Sequence, residues 1–410
     1  MSEPKTLFDS MVSGGRIGAE PPVGKRLVSE ATLGSSHWIL ELTDYRHDVE
    51  TIAHLQSLAE RAAGLNPFFR WESLSASVDR LGPRKLMLML WERIGDAQTA
   101  RLAFPVTGEG GGFGQSYRLR AWSHPYAPLG MPLIDLEEFE ESAVRFAQLL
   151  PRLLLANRAV LLFEQYPAKL EHGAALLDTL RQSGLFVATG SWSSRAALRA
   201  RPGVPPQDFL PMLARRKRHH EIARQLRRLG EFGSLRFAQS RRFDELALFL
   251  EEFLLIEARS WKGDRGTSFL DAKRTAAYAR QMVAALGVKG DAEIRSLQLD
   301  GKAIASLILL RTGGSFYPWK ICHDRNWSTY SPGVQLALQT TVDLLKDERF
   351  EFADSLAAEN SMLDSIWPDR LETASVVISP VEGRKRAAAL CRQLDRKHRL
   401  KRWAKRVLRR

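Results

Sequence analysis

The sequence predicts a mixed α/β (α+β) protein made of two consecutive units that repeat one element order, each a mixed, mostly antiparallel sheet flanked by helices. Three observations lead there. Apolar residues recur with period two, or at steps of three and four, in the order strand, two helices, three strands, loop, helix, strand, and that order occurs twice. Tight-turn pairs, Gly95-Asp96 in the first unit and Asp300-Gly301 in the second, join neighbouring strands. The breaker-rich run ARPGVPPQDF at 200–209 stands between the units. A chain of 410 residues, 44% of them hydrophobic, is also too long for one core and suits two domains. The expected division is a flexible leader at 1–35, a first domain at 36–200, a second at 210–380 and a basic helical tail at 381–410.

The first unit begins with the strand HWILEL (37–42) and helices at 49–63 and 71–79. Strands follow at 85–92, 99–106 and 115–122, then the loop SHPYAPLGMPLID, a helix at 136–155 and the strand AVLLFEQ at 159–165. The run GEGGGFG (108–114) lies between two strands with no helix after it, so it reads as a hairpin loop and not as a phosphate cradle. Helical and strand material at 172–190 leads to the breaker run.

The second unit is entered by a basic helix at 211–229. It continues with a strand at 234–239 and a helix at 243–259, in which Leu246, Phe249, Leu250 and Phe253 recur at helical steps. After SWKGDRG come a helix at 272–286, strands at 293–300, 303–311 and 315–321, a loop, a helix at 334–345 and the strand FEFAD at 350–354.

The net charge is +13, but it is not spread evenly. Residues 381–410 carry thirteen Lys or Arg against Glu382 and Asp395, and a second cluster, RRKRHHEIARQLRR at 215–228, carries seven against Glu221. Partners that prefer cations belong at those two places. In the tail, Leu390 and Leu394 share one helical face while Leu400, Trp403 and Val407 share another, so no single apolar stripe is expected; an anionic membrane surface, RNA and an acidic partner all fit its charge. The two cysteines, Cys322 and Cys391, exclude a disulfide framework and a cysteine-ligated metal site. His219 and His220 are adjacent on a helix, where neighbours point ~100° apart and do not share an ion, so no metal is implied. Residues 1–35 lack the apolar run of ~7–15 residues of a signal peptide, and no window approaches the ~20 apolar residues of a membrane span; a cytoplasmic protein is expected.

The stretch WSTYSPGVQLALQTTVDLL (327–345) is where chemistry is expected. A helix N-terminus has amides without intrahelical acceptors and a positive dipole end, which makes it a ready anion site. Ser331 is suited to cap the helix, Pro332 to its first position, and Gly333 to close backbone approach, with Val334, Gln335 and Leu336 completing the first turns. The same three residues also make an ordinary helix start.

The runs RRKRHHEIARQLRRLGEFG, ARSWKGDRG, LDGKAIASLILL, YPWKICHDRNWSTYSPGVQLA and FEFADS resemble the acyltransferase family of GNAT fold called BioF2-like or CelD (BcsL). That family is similar to the FemAB aminoacyltransferases, which carry two GNAT-like domains in tandem. The resemblance covers roughly 210–356; over 35–200 it rests on element order and on NPFF and PLGMPL. It implies two tandem GNAT-like domains, with a splay between central strands of the sheet where acyl-CoA, acetyl-CoA for instance, inserts as co-substrate and meets a helix N-terminus with its pyrophosphate. The first unit would shape the acceptor cleft and bind no cofactor, its loop having Pro128 and Pro132 where amides are needed.

The same resemblance assigns roles. His323, Asp354 and Tyr330 are the catalytic candidates: a base at the end of the splayed strand, a carboxylate at the end of the following strand, and a general acid toward the departing thiolate. Lys320 and Arg325, with residues 331–336, would hold the cofactor; Trp261, Lys262 and Asp324 would hold the acceptor. Each has a plainer reading beside it: His323 bonding backbone, Asp354 capping a turn, Tyr330 and Trp261 packing, Lys320 and Arg325 solvated. Two departures stand out. Tyr330-Ser331-Pro332-Gly333 is poorer in glycine than the usual GNAT phosphate loop, and SLAAENSMLDSIWPDR after Asp354 lacks the lysine of FemAB-type endings, which counts against aminoacyl-tRNA as donor. The expected activity is acyl-CoA-dependent N- or O-acyl transfer to a small-molecule or glycan-type acceptor in polysaccharide or cell-envelope synthesis, with the tail at the inner membrane. The alternatives are a FemAB-like transferase using tRNA and a non-catalytic membrane-associated scaffold.

Overall fold

The computed structural model describes residues 27–407 except 47, 64–65, 84, 110–116, 202, 204–217 and 241. Most of the leader, the glycine run from 110 on, most of the breaker run, the start of the basic helix and the last three residues of the tail lie outside the described residues. The first run of elements is β1 (Leu27–Leu33), β2 (Ser36–Thr43), α1 (Val49–Arg61), β3 (Ala62–Ala63), α2 (Trp71–Ser77), β4 (Leu86–Ile94), β5 (Ala97–Glu109), β6 (Tyr117–Ala121), β7 (Leu133–Asp135), α3 (Phe139–Ala156), β8 (Ala159–Tyr166), α4 (Glu171–Gln182) and β9 (Phe186–Arg199). The second is α5 (Arg218–Leu229), β10 (Leu235–Gln239), α6 (Phe243–Arg259), α7 (Trp261–Asp264), α8 (Lys273–Val288), β11 (Ala292–Leu299), β12 (Lys302–Thr312), β13 (Ser315–His323), α9 (Pro332–Lys346), β14 (Phe352–Asp354), β15 (Asp369–Ser379) and α10 (Arg384–Val407).

The expected hairpins form: Ile94 pairs with Ala97 across Gly95-Asp96, and Leu299 with Lys302 across Asp300-Gly301. Asp300 and Gly301 both have positive φ, the backbone a two-residue hairpin with the natural strand twist requires. Helix α1 starts where Asp48 accepts from the amides of Glu50 and Thr51. Helix α6 buries Leu246, Leu250, Phe253 and Leu254, steps of three and four that each contribute ~1.5–3 kcal/mol by leaving water.

The sheet is one continuous path, β1-β2-β4-β5-β6-β8-β15-β9-β14-β13-β12-β11-β10. Its pairs are antiparallel except β6 with β8 and β13 with β14. Each run ends in a strand that joins the other's territory: β9 pairs with β14, and β15 inserts between β8 and β9. The breaker run therefore divides the chain but not the sheet. Physically, β8 and β14 would each leave a row of unpaired backbone groups at an edge, and the exchange covers both.

Three expectations are corrected. Residues 27–33, assigned to the leader, form β1, which pairs with residues 36–42 of β2 through a turn at Gly34. The strand β15, missed because Val376, Val377 and Ile378 form a continuous apolar run buried on both faces, supplies a central position in the sheet. The tail's apolar residues do divide between two faces as expected, but one of these is a docked stripe that was not expected: Ala387, Leu390 and Cys391 are buried against Val160, Leu162 and Val377, with Leu394 beside them.

One core cluster unites the first run with the α6 and α8 face of the second, and it includes Tyr317, Trp319 and Cys322 of β13. A second cluster lies under α9 and includes Phe316, Leu336, Leu344 and Trp367. Strand β13 is thus sandwiched, α6 and α8 on one side and α9 on the other.

Candidate active site

Strand β13 leaves its hairpin at Gly313-Gly314 and follows β12 along its length, with one slip. Ile308 faces Lys320 and Leu309 faces Pro318, leaving Trp319 as an extra residue, a bulge that bends the strand. On the other edge β13 meets β14 in parallel at only two positions, Ser315 with Phe352 and Phe316 with Ala353. Beyond them the strands part. Pro318, which has no amide hydrogen to donate, stands where that ladder stops. The other parallel pair is closed: β6 and β8 match over four positions, and Arg120 on β6 pairs with Glu164 on β8.

Helix α9 begins beside the open edge. A 3₁₀ turn, Arg325–Tyr330, leads to Ser331 in the left-handed region at φ 50°, followed by Pro332 at the first helical position. Ser331 makes no side-chain capping bond, contrary to the expectation that it caps; its carbonyl accepts from the amides of Val334 and Gln335 at 2.9 and 3.1 Å. Left-handed backbone points a serine away from the cap geometry, which needs an extended residue. A Cβ added at Gly333 would touch the Nδ1 of His323 at 3.5 Å, so the imidazole lies directly against the first turn. No acid occurs in that turn, whereas α3, its counterpart in the first run, opens with Glu140 and Glu141. The counterpart loop is also filled: a Cβ on Gly130 would stand 2.2 Å from the Glu164 carbonyl oxygen.

His323 ends β13 half-buried, its Nε2 3.3 Å from the Ser328 hydroxyl. Burial lowers its pKa, helped by Lys262 and opposed by Asp324, so the ring is neutral at pH 7. Gln335 reaches over to α5, donating to the Ile222 carbonyl at 2.6 Å. Phe232, Trp327 and Tyr330 form an aromatic cluster with centroids 5.4–6.2 Å apart. Helix α5 thereby sits at the mouth of α9 with Arg227 and Arg228 exposed.

The opposite face of β13 is a polar cluster in an apolar wall. The Lys262 ammonium donates to Glu257 at 2.8 Å and to the Ile321 carbonyl at 3.1 Å, while Glu257 also accepts from the Phe269 amide. The Lys320 ammonium lies 4.6 Å from the centre of the Tyr126 ring and 5.8 Å from that of Phe269. Burial, reinforced by Lys262 and opposed by Glu257, brings Lys320 down to about 8. Tyr126 comes from the first run; its carbonyl accepts from the Trp319 indole at 2.8 Å and its ring stacks on Phe269.

The structure therefore gathers His323, Lys320, Lys262, Ser331, Pro332 and Gly333 around the diverging part of β13. The other predicted residues have partners of their own. Asp354 is fully buried and bound to Arg195, with burial driving its pKa up against the guanidinium. Asp324 caps the 3₁₀ turn by accepting from the Asn326 amide at 2.9 Å. Arg325 pairs with Asp264 at 2.6 Å. Trp261 is 51% exposed beneath Arg265, Tyr330 packs in the aromatic cluster, and Leu336 is core. Val334 packs partly buried against the same core.

Sequence reasoning missed Glu257, Trp319, Tyr126 and Arg195. Glu257 carried a signal: it continues the buried stripe Leu250, Phe253, Leu254, and an acid on that stripe demands a partner. Tyr126 and Arg195 carried none, because their partners are 193 and 159 residues away.

Comparison with known proteins gives a domain match for part of the chain. Residues 216–360 match the acetyltransferase (GNAT) domain. Among solved structures, FemX shares the fold with a TM-score of 0.50 and 9% identity over 83% of this chain and 98% of FemX. The C-terminal domain of a putative lysylphosphatidylglycerol synthetase from Agrobacterium fabrum aligns with a TM-score of 0.49 and 12% identity over 83% and 94% of the two chains. A tandem GNAT protein from the clavulanic acid biosynthesis pathway aligns over 83% of this chain and 98% of its own at 16% identity, with a TM-score of 0.37. No curated protein sequence matches significantly. The GNAT domain at 216–360, on a fold shared with FemX, supports assignment of the protein as an acyltransferase.

Proposed function

We propose that the protein moves an acyl group from acyl-CoA to an amine or hydroxyl of a glycan-type acceptor in cell-envelope or polysaccharide synthesis, as a member of the BioF2-like (CelD) group. The observation that carries this reading is the parting of β13 from β14 after two residue pairs, beside a helix whose first turn has no acid. The unpaired edge of β13 can hydrogen-bond an extended amide-bearing chain as a strand would. The Gly333 amide, the positive end of the α9 dipole and the exposed Arg227 and Arg228 suit its phosphates. The residues fit an acyl-CoA, which supplies the activated thioester.

In this reading His323, neutral and at the end of that edge, accepts the proton of the attacking amine or hydroxyl as the new C–N or C–O bond forms, and the thioester C–S bond breaks to release the thiolate. Backbone amides of the bulged segment stabilise the oxyanion. Lys262 holds the bulged strand through the Ile321 carbonyl and acts as a positioning residue. Asp354, locked to Arg195, fixes the far wall of the parting. The exposed arginines of α5 also suit an RNA-borne donor, so aminoacyl-tRNA is the second reading.

Calorimetry with acetyl-CoA on the native protein and on Gly333→Glu tests the site. A Cβ there meets only ordinary van der Waals contact with His323, the thermal midpoint checks that the variant folds, and its carboxylate competes with the phosphate. A loss of at least about tenfold in affinity is expected from like-charge repulsion. Equal affinity for both removes the site, and tRNA binding without CoA binding transfers support to the second reading.

A further inference from the structure

Helix α10 has two faces with different occupations. Its first is docked on the sheet through Ala387, Leu390, Cys391 and Leu394. Asp395, the helix's sole acid, is turned inward as well, accepting from the backbone amide of Ser191. Docking of one face determines where the other points. At ~100° per residue, Leu400 and Trp403 lie together roughly 160° from the middle of the docked stripe. Both are 65% exposed. Around them Arg396, Lys397 and Arg399 are exposed too.

We propose that this outward face of α10 docks on an anionic lipid surface, with Leu400 and Trp403 entering the headgroup–acyl boundary and the surrounding cations resting on lipid phosphates. The arrangement is apolar at its centre and cationic at its rim. That order suits an interface, where the indole is at home between hydrocarbon and water and long basic side chains extend outward to the phosphates. Nucleic acid would be met by the cations alone and would leave Leu400 in water. Because the helix is already folded and held to β9 and β15, binding orders no chain. The inference is independent of the acyl-transfer reading, since no site residue lies on α10.

The test is co-sedimentation of the full chain with phosphatidylcholine vesicles containing about 30% phosphatidylglycerol, and with phosphatidylcholine alone. Binding is expected only to the anionic vesicles. It should fall at least about tenfold for Leu400→Ser/Trp403→Ser, and on the order of fivefold for each of Lys397→Gln and Arg399→Gln. All four side chains are exposed, so the variants keep the native thermal midpoint. Equal binding to neutral vesicles, wild-type binding by the Leu400/Trp403 variant, or vesicle-blind protein that binds tRNA regardless of Leu400 and Trp403 would each overturn it.

Discussion

Arg195 and Asp354, 159 residues apart in the chain, form an ion pair in the interior where the two runs of elements meet. Each is almost fully shielded from solvent, and the second guanidinium nitrogen donates to the Pro128 carbonyl at 2.8 Å. The pair thus ties β9, the end of β14 and the first-run loop into one joint at the parting of β13 and β14.

Removing Arg195 leaves the Asp354 carboxyl buried without its partner. Arg195→Met is expected to lower the stability by about 3–5 kcal/mol, whereas Arg195→Met with Asp354→Leu should recover much of the loss. Urea titration of the single and double variants measures both. Equal destabilisation by the two would show that side-chain packing, and not the charge, holds the joint.

His124 gives a pH dependence. Burial, with Lys85 and Lys320 nearby, lowers its pKa from 6.5 to about 4, and its Nδ1 accepts from the Tyr126 amide. Above pH ~6.5 the ring is neutral folded and unfolded and contributes nothing; between ~6.5 and ~4 only the unfolded state takes up the proton, so stability is lost as pH falls through that window. Replacing His124 by Asn should flatten that part of a stability-against-pH curve. An unchanged slope would exclude this histidine as its source.

His323 should govern the acidic limb of activity. Its lowered pKa keeps it neutral at pH 7 and places the loss of rate below the ordinary histidine range. His323→Gln is expected to lower kcat by roughly 10²–10⁴ with a smaller change in KM, and to remove the acidic limb. A variant that keeps that limb would assign the base elsewhere.

Much of the candidate site was legible because it is local. Ser331-Pro332-Gly333 announces a helix start, Asp300-Gly301 and the alternating strands on either side announce a hairpin, and His323 ends a readable strand, all from residues within one or two turns of each other. The bulge at Trp319 was not legible: an extra residue is visible only against the register of β12. Nor was the inward turn of Leu390 in the tail, since its apolar partners Val160, Leu162 and Val377 come from two other strands.

By itself the sequence determined the order and type of the elements inside the two repeated units and the two cationic regions, but not β1 or β15, because periodicity, turn residues and charge act between near neighbours. Only the tertiary structure decided that β9 and β15 exchange places to make one sheet, that Asp354 is locked to Arg195, and that Tyr126 closes over Lys320 and Trp319. Those outcomes follow from covering open strand edges and satisfying buried charges, and both requirements are met by groups more than a hundred residues away.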